Sequence, residues 1–161
     1  MAIAVVPLYL WKEFLLFNMA AIIAFDFGTG HIGVAVGNDV TKTVSPLKAL
    51  KARDGIPNDL DIKNLLNEWR PQLLVVGLPL NMDGTTQPLT FKAKKFGNRL
   101  AQNYKLKVVF IDERLTSCEA KDAIFSQGGF RALAKDKGRI DAAAAASILE
   151  QYFSEYAHGQ E

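Results

Sequence analysis

The 161-residue chain predicts an α/β domain. Its centre is a mixed five-stranded sheet, an antiparallel hairpin or meander joined to parallel strands, with helices on both faces. Three observations carry this. Residues 22–36 hold two β-branched and aromatic runs around a reversal at Gly28 and Gly30. Residues 73–78, Leu-Leu-Val-Val-Gly-Leu, form a continuous apolar run, as in a strand covered on both faces. Segments with helical spacing of apolar residues then alternate with the later strands.

Composition bounds the problem. Hydrophobic residues make up 49% and charged residues 22%, which suits one domain with a real core. A net charge of +2 neither demands nor excludes a nucleic-acid partner, so local clustering must decide. The single cysteine, Cys118, rules out an intrachain disulfide and suits a reducing cytoplasm. With no partner that would make it a nucleophile, Cys118 reads as a packed residue. Residues 1–18 are mostly apolar but broken by Lys12 and Glu13. That run is too short to span a membrane and lacks a signal peptide's basic start. It reads as an extension preceding a natural start at Met19, or as an amphipathic interaction or membrane-surface helix.

In chain order, residues 22–27 and 32–36 form the first hairpin, with Asp26 where the first apolar run stops. Gly28-Thr29-Gly30-His31-Ile32-Gly33 matches the dinucleotide fingerprint G-x-G-x-x-G, which works only where a helix starts at the glycines. Ile32 to Gly37 reads as strand instead, so the glycines permit a tight hairpin and leave room beside Asp26. Thr43–Leu47 is a third strand, with Pro46 suited to an edge, followed by a polar link holding the turn signal Arg53-Asp54-Gly55. Asn58 or Asp59 caps a helix running to Arg70, stopped by Pro71. After the strand at 73–78 comes a loop with Asn81-Met82-Asp83-Gly84 at its tip. Pro88 opens a helix with Leu89, Ala93, Phe96 and Leu100 inward. Lys92, Lys95 and Arg99 share another face, either a solvated surface or a patch contacting phosphates. Lys107–Ile111 is the last strand, ending in Asp112-Glu113-Arg114. Thr116 and Glu119 form a capping box for a helix ended by Gly128-Gly129. A basic loop follows with Arg131, Lys135, Lys137 and Arg139, and the final helix runs from near Asp141 to about Phe153.

Four carboxylates stand where an active site would form, beyond the carboxyl ends of the strands. They are Asp26, Asp112, Glu113 and Asp141. Positions 141, 145, 148, 149 and 152 share a helix face, and the last four are apolar or packing residues. Asp141 therefore points at the sheet, which a simple N-cap does not require. Bare carboxylates from three segments would repel one another. Mg²⁺ or Mn²⁺ removes that repulsion, and no Cys or His cluster suggests zinc. Two such ions can activate water and stabilise a leaving oxygen in phosphodiester cleavage. His31 reads as a hairpin-tip residue able to touch substrate and His158 as part of the tail.

Four motifs then combine. Asp26-Phe27-Gly28-Thr29 with Ile32-Gly33-Val34-Ala35, Gly77–Gly84, Asp112–Thr116 and Lys137–Asp141 follow in this order. Together they resemble the YqgF/RuvX family over about residues 20–156. These are RNase H-like proteins described as pre-16S ribosomal RNA nucleases and, in some members, as Holliday junction resolvases. The resemblance implies an RNase H-like nuclease domain at residues 19–157, a cytoplasmic location and metal-dependent cleavage. It implies Asp26, Glu113 and Asp141 as catalytic and metal-binding triad. Asp112 competes with Glu113, since successive strand residues face opposite sides. Asp83 is a fourth candidate in a loop able to fold over the site. Arg114 either holds a phosphate or pairs with a neighbouring carboxylate. With Lys92, Lys95, Arg99, Arg131, Lys135, Lys137 and Arg139 it makes up the expected nucleic-acid contacts.

The implied substrate is structured RNA, the 5′ end of the small-subunit rRNA precursor, with pre-ribosomal particles as partners. A four-way DNA junction is the alternative. A resolvase would need a two-fold dimer, and the residues leave monomer and homodimer open. A non-catalytic RNA-binding assembly factor would keep the same fold and basic surface. An actin-like ATPase would need a second lobe with a second Asp-x-Gly hairpin, and the chain shows neither.

Overall fold

The computed structural model describes Pro7, residues 20–114 and residues 137–156, the side chains of 137–140 and 156 excepted. The expectations for the N-terminal extension, Cys118, the Thr116 capping box and its helix, Gly128-Gly129, Arg131, Lys135 and His158 lie outside the described residues.

The strands are β1 (Ala21–Asp26), β2 (His31–Asn38), β3 (Thr43–Arg53), β4 (Ile56–Pro57), β5 (Leu73–Leu78) and β6 (Lys107–Asp112). The described helices are α1 (Asp59–Trp69), α2 (Pro88–Tyr104) and α3 (Lys137–Tyr156). The sheet order is β4-β3-β2-β1-β5-β6. Strands β1 to β4 pair antiparallel in sequence, and β5 and β6 run parallel to β1. This is the expected mixed sheet with one strand more.

The extra strand comes from residues 48–57, expected as a polar link. Strand β3 instead continues its ladder with β2 as far as Lys51, past a bulge between Ile32 and Val34. Leu47, Leu50 and Ala52 pack on the core and hold that continuation in place. The turn signal does mark the reversal. Asp54 and Gly55 take φ of +51° and +79°, and the two-residue β4 returns alongside β3. Among the described residues only Ala52 and Arg53 pair on the outer edge of β3, which leaves Pro46 at an edge position.

Side-chain alternation divides the core. Ile23, Phe25, Val34, Val36, Leu74 and Val76 point to one face and pack with Ile62 and Leu66 of α1 and Ala93, Phe96 and Leu100 of α2. Ile22, Ala24, Leu73, Val75 and Ile111 point to the other and meet Ile148, Leu149 and Phe153 of α3. Helix α1 is capped as expected, since the Asn58 side chain accepts from the Leu60 amide at 2.8 Å. Arg70 closes α1 in the left-handed region ahead of Pro71. Helix α3 begins at Lys137, four residues earlier than its spacing suggests. No described helix is long and apolar enough to cross a membrane.

Candidate active site

Asp26 ends β1 on the face that α3 covers, in phase with Ile22 and Ala24. Its lateral neighbours in the sheet are both glycines, Gly33 on β2 and Gly77 on β5. Each missing side chain is space in use. A Cβ on Gly33 would sit 2.0 Å from the Asp141 carbonyl oxygen, so α3 rests its backbone on β2 there. A Cβ on Gly77 would sit 2.5 Å from both Glu113 Oε2 and Ile148 Cδ1. The two glycines thus admit Asp141 on one side of Asp26 and Glu113 on the other. Ala142, Ala144 and Ala145, all buried, let the helix approach this closely.

Glu113 follows β6 directly, and its amide donates to the Leu78 carbonyl at 3.2 Å. Asp26 and Glu113 share a side-chain hydrogen bond. Burial, with the Asp141 charge nearby, pushes the Asp26 carboxyl up to about 6. Burial, then the charge of Asp26 and the proton shared with it, pushes Glu113 up to about 9. Two buried carboxyl groups this close hold a proton between them.

The choice between Asp112 and Glu113 falls to strand parity. Asp112 is in phase with Val108 and Phe110, which pack toward α2, whereas Glu113 is in phase with Ile111 and faces α3. Asp112 is bound instead by Arg114, whose Nε lies 2.8 Å from Oδ2 and whose second nitrogen lies 2.5 Å from the same oxygen. That pairing holds the Asp112 carboxyl below its ordinary value. Arg114 also donates to the Met82 carbonyl at 3.2 Å, so it ties the 79–87 loop to the end of β6. Asp83 is exposed and accepts from the Thr85 amide and hydroxyl, which lower its pKa. Its hydrogen bonds stay within the loop tip. Asp141, in the second turn of α3, is no N-cap.

His31 is exposed as the first residue of β2. Gly28 is needed for room, since a Cβ there would meet the His31 carbonyl oxygen at 2.4 Å. A strand follows these glycines where a nucleotide fold needs a helix, as the sequence context indicated. Lys92 pairs with Asp54 at 2.9 Å, and Lys95 and Arg99 lie exposed on the same helix. These three sit on α2, across the sheet from α3. The backbone of Lys137 and Arg139 opens α3. Gly33 leaves room beside Asp26, as the sequence indicated, whereas the role of Gly77 was missed from sequence. Its only signal was a glycine inside an otherwise β-rich run.

Among the described residues no three Asp, Glu, His or Cys side chains are grouped closely enough to hold an ion as they stand. The donor chemistry nonetheless fits a hard divalent cation. The carboxylates are oxygen donors, with Glu113 buried and Asp26 and Asp141 half-buried, and Asp26 and Glu113 share a hydrogen-bonding proton that a cation would replace.

A mixed sheet of this order, with a carboxylate cluster at the end of its first strand, is the architecture of an RNase H-like nuclease. The fold agrees with solved resolvases. Thermus thermophilus RuvC in complex with a Holliday junction substrate matches with a TM-score of 0.52 and 17% identity, over 87% of this chain and 96% of that one. The fowlpox virus Holliday junction resolvase matches with a TM-score of 0.51 and 16% identity, over 83% and 97%. The chain belongs to the RuvX family, whose model, described as "RuvX: Holliday junction resolvase", matches residues 20–155. A relative from Haemophilus ducreyi named "Putative pre-16S rRNA nuclease" is 58% identical over 82% of this chain and 94% of its own length. One of the same name from Aeromonas salmonicida is 53% identical over 84% and 95%.

Proposed function

We propose that this protein is a divalent-metal-dependent endonuclease that trims the 5′ end of the small-subunit rRNA precursor in the cytoplasm. The observation that carries the reading is the glycine-flanked Asp26, with Glu113 and Asp141 admitted on its two sides. These three residues would hold Mg²⁺ or Mn²⁺, as a pair of ions. Two such ions, when bound, lower the pKa of an attacking water and stabilise the leaving oxygen. To hold such an ion Asp26 and Glu113 would give up the proton between them, and Asp141 would add a third carboxylate from the helix. Leu78 orients Glu113 through its carbonyl. Lys92, Lys95 and Arg99, with the basic residues at 131–139, hold backbone phosphates, and Arg114 keeps the 79–87 loop against β6. The domain that does this is residues 19–157, working with pre-ribosomal RNA as its partner.

The family description favours one further substrate, the four-way DNA junction. Both are tested together. The full chain, with Mg²⁺ or Mn²⁺, is offered a precursor-rRNA 5′ segment and a four-way junction, beside an Asp26→Asn control. Metal-dependent cutting of the RNA alone, lost in the control, supports the proposal. Symmetric cutting of the junction alone transfers it to the resolvase. Cutting of neither, with RNA binding intact, replaces it with the assembly-factor reading.

A further inference from the structure

Helix α2 has a second exposed character besides its charge. Its 17 residues, PLTFKAKKFGNRLAQNY, contain four Lys or Arg and no Asp or Glu. The whole chain carries only +2, so this helix concentrates positive charge. Ala93, Phe96 and Leu100 are buried on its inner side. Phe91 is not. It is 59% exposed, the only aromatic among the large exposed hydrophobic residues described. Positions 91, 94, 95, 98 and 102 follow helical spacing, so Phe91, Lys94, Lys95, Asn98 and Gln102 form one outward stripe. With Arg99 they line a shallow surface depression of about 530 Å³.

An exposed phenyl ring among lysines is costly as a bare surface and useful as a platform. Every base has a flat face to stack on it, and the adjacent cations meet the phosphates. A duplex offers its phosphates but hides those faces. The helix also begins where β5 ends, the sheet end that carries Asp26 and Glu113.

We propose that the outer face of α2 is a track for single-stranded nucleic acid, with Phe91 stacking an unpaired base and Lys94, Lys95 and Arg99 contacting the flanking phosphates. The track rests on the nuclease reading for its purpose and gives that site a substrate class: strands unpaired beside the cut. Asn98 and Gln102 supply hydrogen bonds to base edges.

The test is binding by the full chain, in EDTA so that no cleavage occurs. Fluorescence anisotropy is read with a labelled 12-nucleotide polyuridine strand and with a 12-base-pair RNA duplex. Phe91→Ala is expected to weaken single-strand binding about tenfold, the scale of one base–aromatic stack, and to leave duplex binding within about twofold. Phe91→Trp is expected to restore single-strand affinity. Lys95→Ala is expected to weaken both and to flatten their salt dependence. Unchanged single-strand binding in Phe91→Ala overturns the proposal and leaves a phosphate patch only. A change of oligomeric state in Phe91→Ala by sedimentation overturns it in favour of a contact between copies. Cleavage of the same strand by the unsubstituted chain in Mg²⁺ is read beside it: Phe91-dependent binding without cleavage overturns the nuclease reading alone, and cleavage without that binding overturns the track alone.

Discussion

Asp26 and Glu113 are held in a fold that favours their protonated forms. The sign follows from that. Their folded-state values of about 6 and about 9 lie above the ordinary 3.8 and 4.5. Stability that is fully present below the ordinary values is therefore lost as pH rises through the folded-state ones. In EDTA, urea midpoints are expected to fall between pH 5 and pH 9, and Glu113→Gln is expected to flatten that decline. A midpoint that rises with pH over this range would contradict the buried pair. The flanking glycines give a second prediction. Gly77→Ala places a methyl 2.5 Å from Glu113 Oε2 and Ile148 Cδ1. It is expected to cost about 1–3 kcal/mol in a denaturant titration, the range for overpacked cores, and to displace the Glu113 carboxylate. Cleavage that is unchanged in Gly77→Ala would show that Glu113 does not need that space. Asp26 itself was legible as a charge at the end of an apolar strand. Gly33 was legible as room beside it, whereas Gly77 was not, because register between strands is a tertiary fact.

Strand β6 and the 79–87 loop are joined by one side chain. Arg114 pairs with Asp112 and donates to the Met82 carbonyl, while Asn81, Asp83 and Thr85 bond among themselves at the loop tip. Arg114→Ala is expected to speed amide exchange in residues 80–86 at least severalfold while leaving β5 protected, since local opening follows the loss of such ties. Unchanged exchange would mean the loop is held by its own turn alone. Among the helices, the cap at Asn58 and the stop at Pro71 were readable because they act within a turn of the chain. The start of α3 was placed late. Ala and Gly leave little periodicity, so the spacing began only where Ala145, Ile148 and Leu149 pack. The length of β3 was underestimated for a related reason. Its burial alternates only once β2 and the core are in place.

For the molecule as a whole, a cation bound as proposed would couple the carboxylates to stability. Mg²⁺ or Mn²⁺ is expected to raise the melting temperature at neutral pH, by mass action on the folded state, and the rise is expected to vanish in Asp26→Asn. Its apparent affinity is expected to grow between pH 6 and pH 9, because ligation displaces the proton that Asp26 and Glu113 share. Calorimetric titration of the full chain at these two pH values measures it, and a pH-independent affinity would count against that displacement. Much of this protein follows from local patterns. The hairpin, the buried strand at 73–78, the helix boundaries set by Asn58, Pro71 and Pro88, and the motifs that mark the family all rest on neighbours a few residues apart. Other features needed the folded chain. Strand order, the parity that turns Glu113 toward α3 and Asp112 toward Arg114, and the close seating of α3 on Gly33 depend on residues distant in sequence meeting across the sheet. Pattern encodes which face a residue prefers, whereas only packing of one element on another decides what stands opposite it.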